Sequence, residues 1–101
     1  MSTKTALIVI GRYKDEWNKL SQTQQADFVE RVGRTAITLG LTPITGYRLT
    51  ATPGAFIEIW EGTGIDSIDL VVKNFEALGY ARYVDARWMV GKREHVDVAA
   101  K

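Results

Sequence analysis

The sequence contains no cysteine. Disulfides, thiolate metal sites and a cysteine nucleophile are therefore excluded, and a reducing cytoplasm is the expected compartment. Histidine occurs once, at His95. A metal centre or a Ser-His-Asp relay needs more than one well-placed partner, so His95, in a polar stretch, reads as a surface residue. Long apolar runs are missing too. Met1 to Thr5 is polar, and the run that follows, Ala6 to Ile10, is too short for a secretory leader or a membrane span. Charge of one sign is scarce: the net charge is +1, and Lys92-Arg93 is the one adjacent basic pair. Neither nucleic acid nor an anionic membrane is an expected partner of such a chain.

What is present is ordinary globular composition, with 46% apolar and 25% charged residues in 101. That length reads as a single domain over 1–101, able to bury a core with little stability to spare. Ala6–Ile10 is continuous, β-branched and apolar, as in a strand buried on both faces. Asp15 to Leu20 offers a short helical turn around Trp17. Ser21 and Gln24 have capping-box spacing. Phe28, Val32, Ala36 and Leu39 then recur at helical period, with Val29 alongside, and Gly40 ends the helix. A second strand is expected over Ile44–Thr50, opened by Pro43, and a turn at Thr52-Pro53-Gly54. A third strand covers Ala55–Glu61. A second helix is capped by Asp66 or Ser67 and carries Ile68, Val71, Val72, Phe75 and Leu78. Tyr80–Tyr83 forms an aromatic connection to a fourth strand over Val84–Val90.

This order is βαββαβ, an α+β fold of ferredoxin-like type: an antiparallel four-stranded sheet with two helices on one face. Strand residues alternate sides. The aliphatic side of the third strand, Ala55, Ile57 and Ile59, suits the helices. Phe56, Glu58 and Trp60 are then expected on the open face, with Met89, Arg87 and an apolar row from the first strand. Trp88 and Trp17 are expected to pack helices onto the sheet, with Trp60 on the opposite side. An open patch of several hundred Å² is rare on a soluble monomer. A second copy of the chain, meeting it sheet to sheet, is the expected cover.

The element order, Trp17-Asn18-Lys19-Leu20-Ser21 before the first long helix, Ile59-Trp60-Glu61 at the end of the third strand and the hinge Phe75–Tyr83 resemble small uncharacterised members of the dimeric α+β barrel superfamily. The resemblance spans about Ala6 to Gly91 and is structural more than catalytic. It implies a homodimeric barrel. It also implies functions such as cofactor-free monooxygenase on polycyclic phenols, polyketide cyclase, lactone isomerase, haem degradation or stress response. A haem ligand would be expected on the second helix, and Asp66–Leu78 holds no histidine. No cofactor is expected.

Glu58 is the most suggestive residue. A carboxylate among aromatics has a raised pKa and can act as acid or base. Alternatively, it is a buried ion-pair partner of Arg48, Arg87 or an arginine of a second subunit. Among the tyrosines, Tyr13, Tyr47, Tyr80 and Tyr83, Tyr47 is the preferred hydrogen-bond donor beside Glu58, the other reading being rim packing. Phe56, Trp60, Met89 and Arg87 are candidate substrate-binding residues, and plain core or interface packing is the alternative for Trp60. Gly62-Thr63-Gly64 lacks the third glycine of a dinucleotide fingerprint, with Ser67 in its place. Ala55-Phe56-Ile57-Glu58 lacks the second stacking aromatic of an RNA-recognition strand. Two functions stay open. One is a cofactor-free monooxygenase, isomerase or cyclase acting on a small hydrophobic or aromatic metabolite. The other is a non-catalytic ligand-binding or stress-related homodimer whose interior charges set the pairing.

Overall fold

The computed structural model describes residues 4–94; His95 lies outside them. Strand β1 (Thr5–Tyr13) leads through a single turn, α1 (Asp15–Asn18), into the long helix α2 (Gln22–Thr38). Strands β2 (Thr42–Arg48) and β3 (Ala55–Gly62) follow, then α3 (Ile65–Ala77), a short α4 (Tyr80–Tyr83) and β4 (Val84–Lys92). The antiparallel sheet has the order β2-β3-β1-β4. This is the expected ferredoxin-like fold, with β1 extended beyond its apolar run to Tyr13. Among the described residues no helix is long and apolar enough to cross a membrane.

The local signals act as their chemistry dictates. The Ser21 hydroxyl accepts from the Gln24 amide at 3.1 Å and the Gln24 side chain accepts from the Ser21 amide at 2.9 Å, so two orphan donors of α2 are satisfied reciprocally. Gly40 takes φ 98°, the left-handed turn that ends the helix. Phe28, Val32 and Ala36 form the buried stripe of α2, and Ile68, Val71 and Phe75 that of α3. One expectation fails locally. α3 is preceded by Gly64, with no side-chain cap, and Asp66 falls inside its first turn. There its charge faces the positive helix end, a favourable place for an acid without a capping hydrogen bond.

The larger correction concerns the sheet's two sides. Directly paired residues of an antiparallel ladder point the same way. Trp60 pairs with Leu7, Glu58 with Val9 and Phe56 with Gly11. Leu7 and Val9 are fully buried under the helices, and Phe56 and Trp60 are only 6% and 9% exposed. Phe56, Glu58 and Trp60 therefore face the helices, on the same side as Trp88, the partner of Val9 on β4. Ile57 and Ile59 face away. Both sides of β3 are apolar, so alternation does not orient the strand; ring volume does. Tyr13, Trp17, Phe28, Tyr80, Phe75 and Trp88 form a chain of stacked, edge-on and tilted rings from the end of β1 to β4. Phe56 joins it at 5.1 Å from Tyr13. Gly11 leaves the slot for that ring: a Cβ there would lie 2.6 Å from Phe56 Cζ.

The open face carries two rows, Thr45–Ile59–Ile8–Met89 and Tyr47–Ile57–Ile10–Arg87. Its centre is four isoleucines, which is more aliphatic and flatter than the expected Phe56–Trp60 patch. Glu61, at one end of this face, is held in a two-pronged ion pair by Arg93, with both N–H···O distances 2.8 Å. That contact keeps its carboxyl below the usual range.

Candidate functional site

Between sheet and helices lies a cavity of about 150 Å³. Its floor is Phe56, Glu58 and Trp60 of β3 with Val84 of β4. Its roof is the α2 face bearing Phe28, Val29, Val32 and Gly33. Tyr13, Trp17 and Tyr80 close its ends. Each wall follows from local patterning. The strand period puts every second β3 residue on the floor, and the helical period lays Phe28, Val29 and Val32 over it. Gly33 adds no side chain to the roof. The wall is apolar and aromatic except for one carboxylate, Glu58, and the phenols of Tyr13 and Tyr80. A cavity of this size holds about one benzene-sized ring.

Burial pushes the Glu58 carboxyl above its ordinary value. Trp60 Nε1 donates to Glu58 Oε1 across a long 3.5 Å contact, and the Arg48 charge acts in the same direction; both pull the pKa back in part. Glu58 is in no ion pair among the described residues. Burial also raises the Tyr80 phenol, with the Glu58 charge adding to the effect. Tyr13 is raised by burial and by Glu58, and lowered by Arg48. The result is one carboxyl with a raised pKa among two phenols whose pKa values are raised as well, in a largely apolar pocket. Such a set can take up a proton and donate hydrogen bonds. Among the described residues no three His, Asp or Glu side chains converge as a metal site would require.

The expected site residues divide. Glu58, Phe56 and Trp60 come together in the cavity. Tyr47, Arg87 and Met89 lie on the opposite side of the sheet, and Tyr47 is 62% exposed. Tyr47 and Glu58 both line a recess along the β2 edge, where Gly46 stands opposite Glu58 in the ladder. The expected Tyr47 beside Glu58 is therefore replaced by Tyr80 and Tyr13. Tyr80 sits one residue beyond Gly79, on the α4 turn that carries the chain back to the sheet. Its signal in the sequence was the aromatic hinge, read as a connection. Trp17, read as packing, does pack and also lines the cavity.

Outside the cavity lies an open polar cleft of about 910 Å³ between the β2–β3 turn, α1 and the start of α2. Tyr13, Trp17 and Val29 line both spaces. Arg12, Arg48, Asp15 and Gln22 are among its polar walls.

No family model matches this sequence, and no curated protein does. Solved structures do match. SnoaB, a cofactor-independent oxygenase from Streptomyces nogalater, superposes with a TM-score of 0.68 at 9% identity, covering 94% of this chain and 97% of its own. NE2512 of Nitrosomonas europaea, of unknown function, gives 0.58 at 14% identity over 96% and 95%. A chlorite dismutase candidate, TA0507, gives 0.70 at 11% identity over 91% of this chain, which spans 44% of that longer one. At these identities the likeness is one of fold, the ferredoxin-like arrangement of an antiparallel four-stranded sheet with helices.

Proposed function

We propose that this protein binds a small hydrophobic or aromatic metabolite between its sheet and helices and acts on it by acid–base chemistry, as a monooxygenase, isomerase or cyclase that needs no cofactor. One observation carries the reading: a single carboxylate, lifted above its usual pKa, stands in a ring-sized apolar cavity. A lifted pKa makes Glu58 a stronger base than an exposed glutamate. Its carboxylate takes a proton from an acidic C–H or O–H of the bound ring, and the Tyr80 hydroxyl donates to the oxygen on which negative charge gathers. Phe56 and Trp60 form the cavity floor. The fold shared with SnoaB, itself a cofactor-independent oxygenase, supports the class.

The working unit in this proposal is a homodimer. Ile8, Ile10, Ile57 and Ile59 form an aliphatic plane on the open face, and covering several hundred Å² of such surface contributes several kcal/mol at about 25 cal/mol per Å². Glu58 lies on the helix side, so it does not set the register of two facing sheets. That removes the main support for a non-catalytic dimer organised by interior charges.

The test is proton exchange. Cyclohexanone is a single six-membered ring with acidic protons beside its carbonyl. The protein should speed exchange of those protons in D2O, and Glu58→Gln should lose on the order of 10²–10⁴-fold of that acceleration. Exchange at the buffer rate with the ketone demonstrably bound would overturn the catalytic reading.

A further inference from the structure

The cavity and the polar cleft share the walls Tyr13, Trp17 and Val29, so the two spaces are neighbours, separated by these side chains alone. The inner space takes about one ring; anything attached to that ring must extend outward. Inside, an ionised ligand group would meet Glu58, a carboxylate already short of solvation, so a second carboxylate is rejected there. Outside, the sign reverses. Arg12 and Arg48 line the cleft, and neither forms an ion pair among the described residues; Arg48 pairs with Phe56 in the ladder and so belongs to the helix side, while Arg12 stands opposite Asp85 at the rim. By contrast, Arg31, Arg34 and Arg93 are each taken up by Asp27, Glu30 and Glu61. Of the cleft's two acids, Glu30 is engaged by Arg34, which leaves Asp15 as the one unpaired anion. Arg48 lines the cleft and also the recess on the β2 edge that reaches Glu58 and Tyr13, so it borders Glu58 from outside the cavity.

We propose that the ligand is a small aryl or alkyl carboxylic acid bound ring-first, its apolar end beside Glu58 and its carboxylate in the outer cleft on Arg48, with Arg12 as a second cation. This rests on the reading of the cavity as a small-molecule site and adds the ligand's charge and orientation. A guanidinium is suited to the role because its planar fork grips a carboxylate through two parallel hydrogen bonds. The arrangement separates binding from chemistry: the arginines hold the head group, and the reactive part of the ligand is left facing Glu58.

Calorimetric titration with 3-phenylpropionate and with 3-phenylpropanol, which differ in the charge of the head group, decides the matter. The native protein should bind the acid about tenfold or more tighter than the alcohol, as expected of a charge-assisted pair. Added salt should shrink that preference. Arg48→Gln, and more fully R12Q with R48Q, should bring the ratio towards one while the alcohol binds as before. An alcohol that binds as well as the acid overturns the proposal and leaves the cavity reading standing. A preference that survives the double substitution overturns the assignment to these arginines. Failure of both ligands to bind overturns the cavity reading, and this inference with it.

Discussion

Val9 and Glu58 lie directly opposite one another across the β1–β3 ladder, and Val9 is fully buried. The register that seals the valine under the helices brings a carboxyl into the same layer. Had β3 slipped by one residue, Ile57 or Ile59 would stand there and Glu58 would face the open side. The candidate site is thus a product of strand register, and its chemistry follows from the desolvation that the register imposes.

That desolvation sets a pH dependence. The folded-state pKa of Glu58 lies above the ordinary value of 4.5. Below that value both folded and unfolded chains hold the proton. As pH rises through the window up to the lifted pKa, the unfolded chain releases its proton first, and folding loses stability from this residue. Glu58→Gln cannot ionise. Its melting temperature relative to the native protein should therefore rise as pH is taken from about 4 to 8. A constant difference across that range would show that Glu58 is not desolvated.

Two glycines should respond oppositely. At Gly11 an added methyl would lie 2.6 Å from Phe56 Cζ and 3.0 Å from Val84 Cγ1. Gly11→Ala should destabilise by about 1–3 kcal/mol through overpacking, read by denaturant unfolding. At Gly33, inside α2, nothing lies within 4 Å. Gly33→Ala should stabilise by about 0.5–1 kcal/mol through helix propensity. Because Gly33 roofs the cavity, the same methyl should weaken ligand binding, an opposition visible by titration.

The open face makes a prediction about assembly. Ile59→Lys places a charge at the centre of the isoleucine plane, beside Ile8. Sedimentation should show the native chain as a dimer and the variant as a folded monomer. A native chain that stays monomeric at high concentration removes the dimer.

The tyrosines can be separated by alkaline titration of absorbance. Tyr80 should ionise well above the free value of 10.0, because burial and the nearby Glu58 charge both disfavour its phenolate. Tyr80→Phe should delete the latest step in the titration. Tyr47→Phe should leave that step in place, since Tyr47 stands on the other side of the sheet.

Much of this was legible from residue order. The capping pair Ser21 and Gln24, the stripe Phe28–Val32–Ala36 and the terminator Gly40 depend on neighbours within a few positions, so their meaning is local. Glu58 stood out for the same kind of reason, as a charge inside an apolar strand. Tyr47 and Tyr80 were not separable that way. Which phenol shares a layer with Glu58 depends on pairing across the sheet and on a turn that folds Tyr80 back over the cavity.

The order of elements, the two ends of α2 and the existence of a two-sided apolar sheet were determined by the chain itself, because period and capping chemistry act over short distances. Which side of that sheet the helices cover was decided only when the rings of α1, α2 and α4 came together with Phe56 over Gly11. Alternation says that two faces differ; only the packing of side-chain volume says which of them is inside.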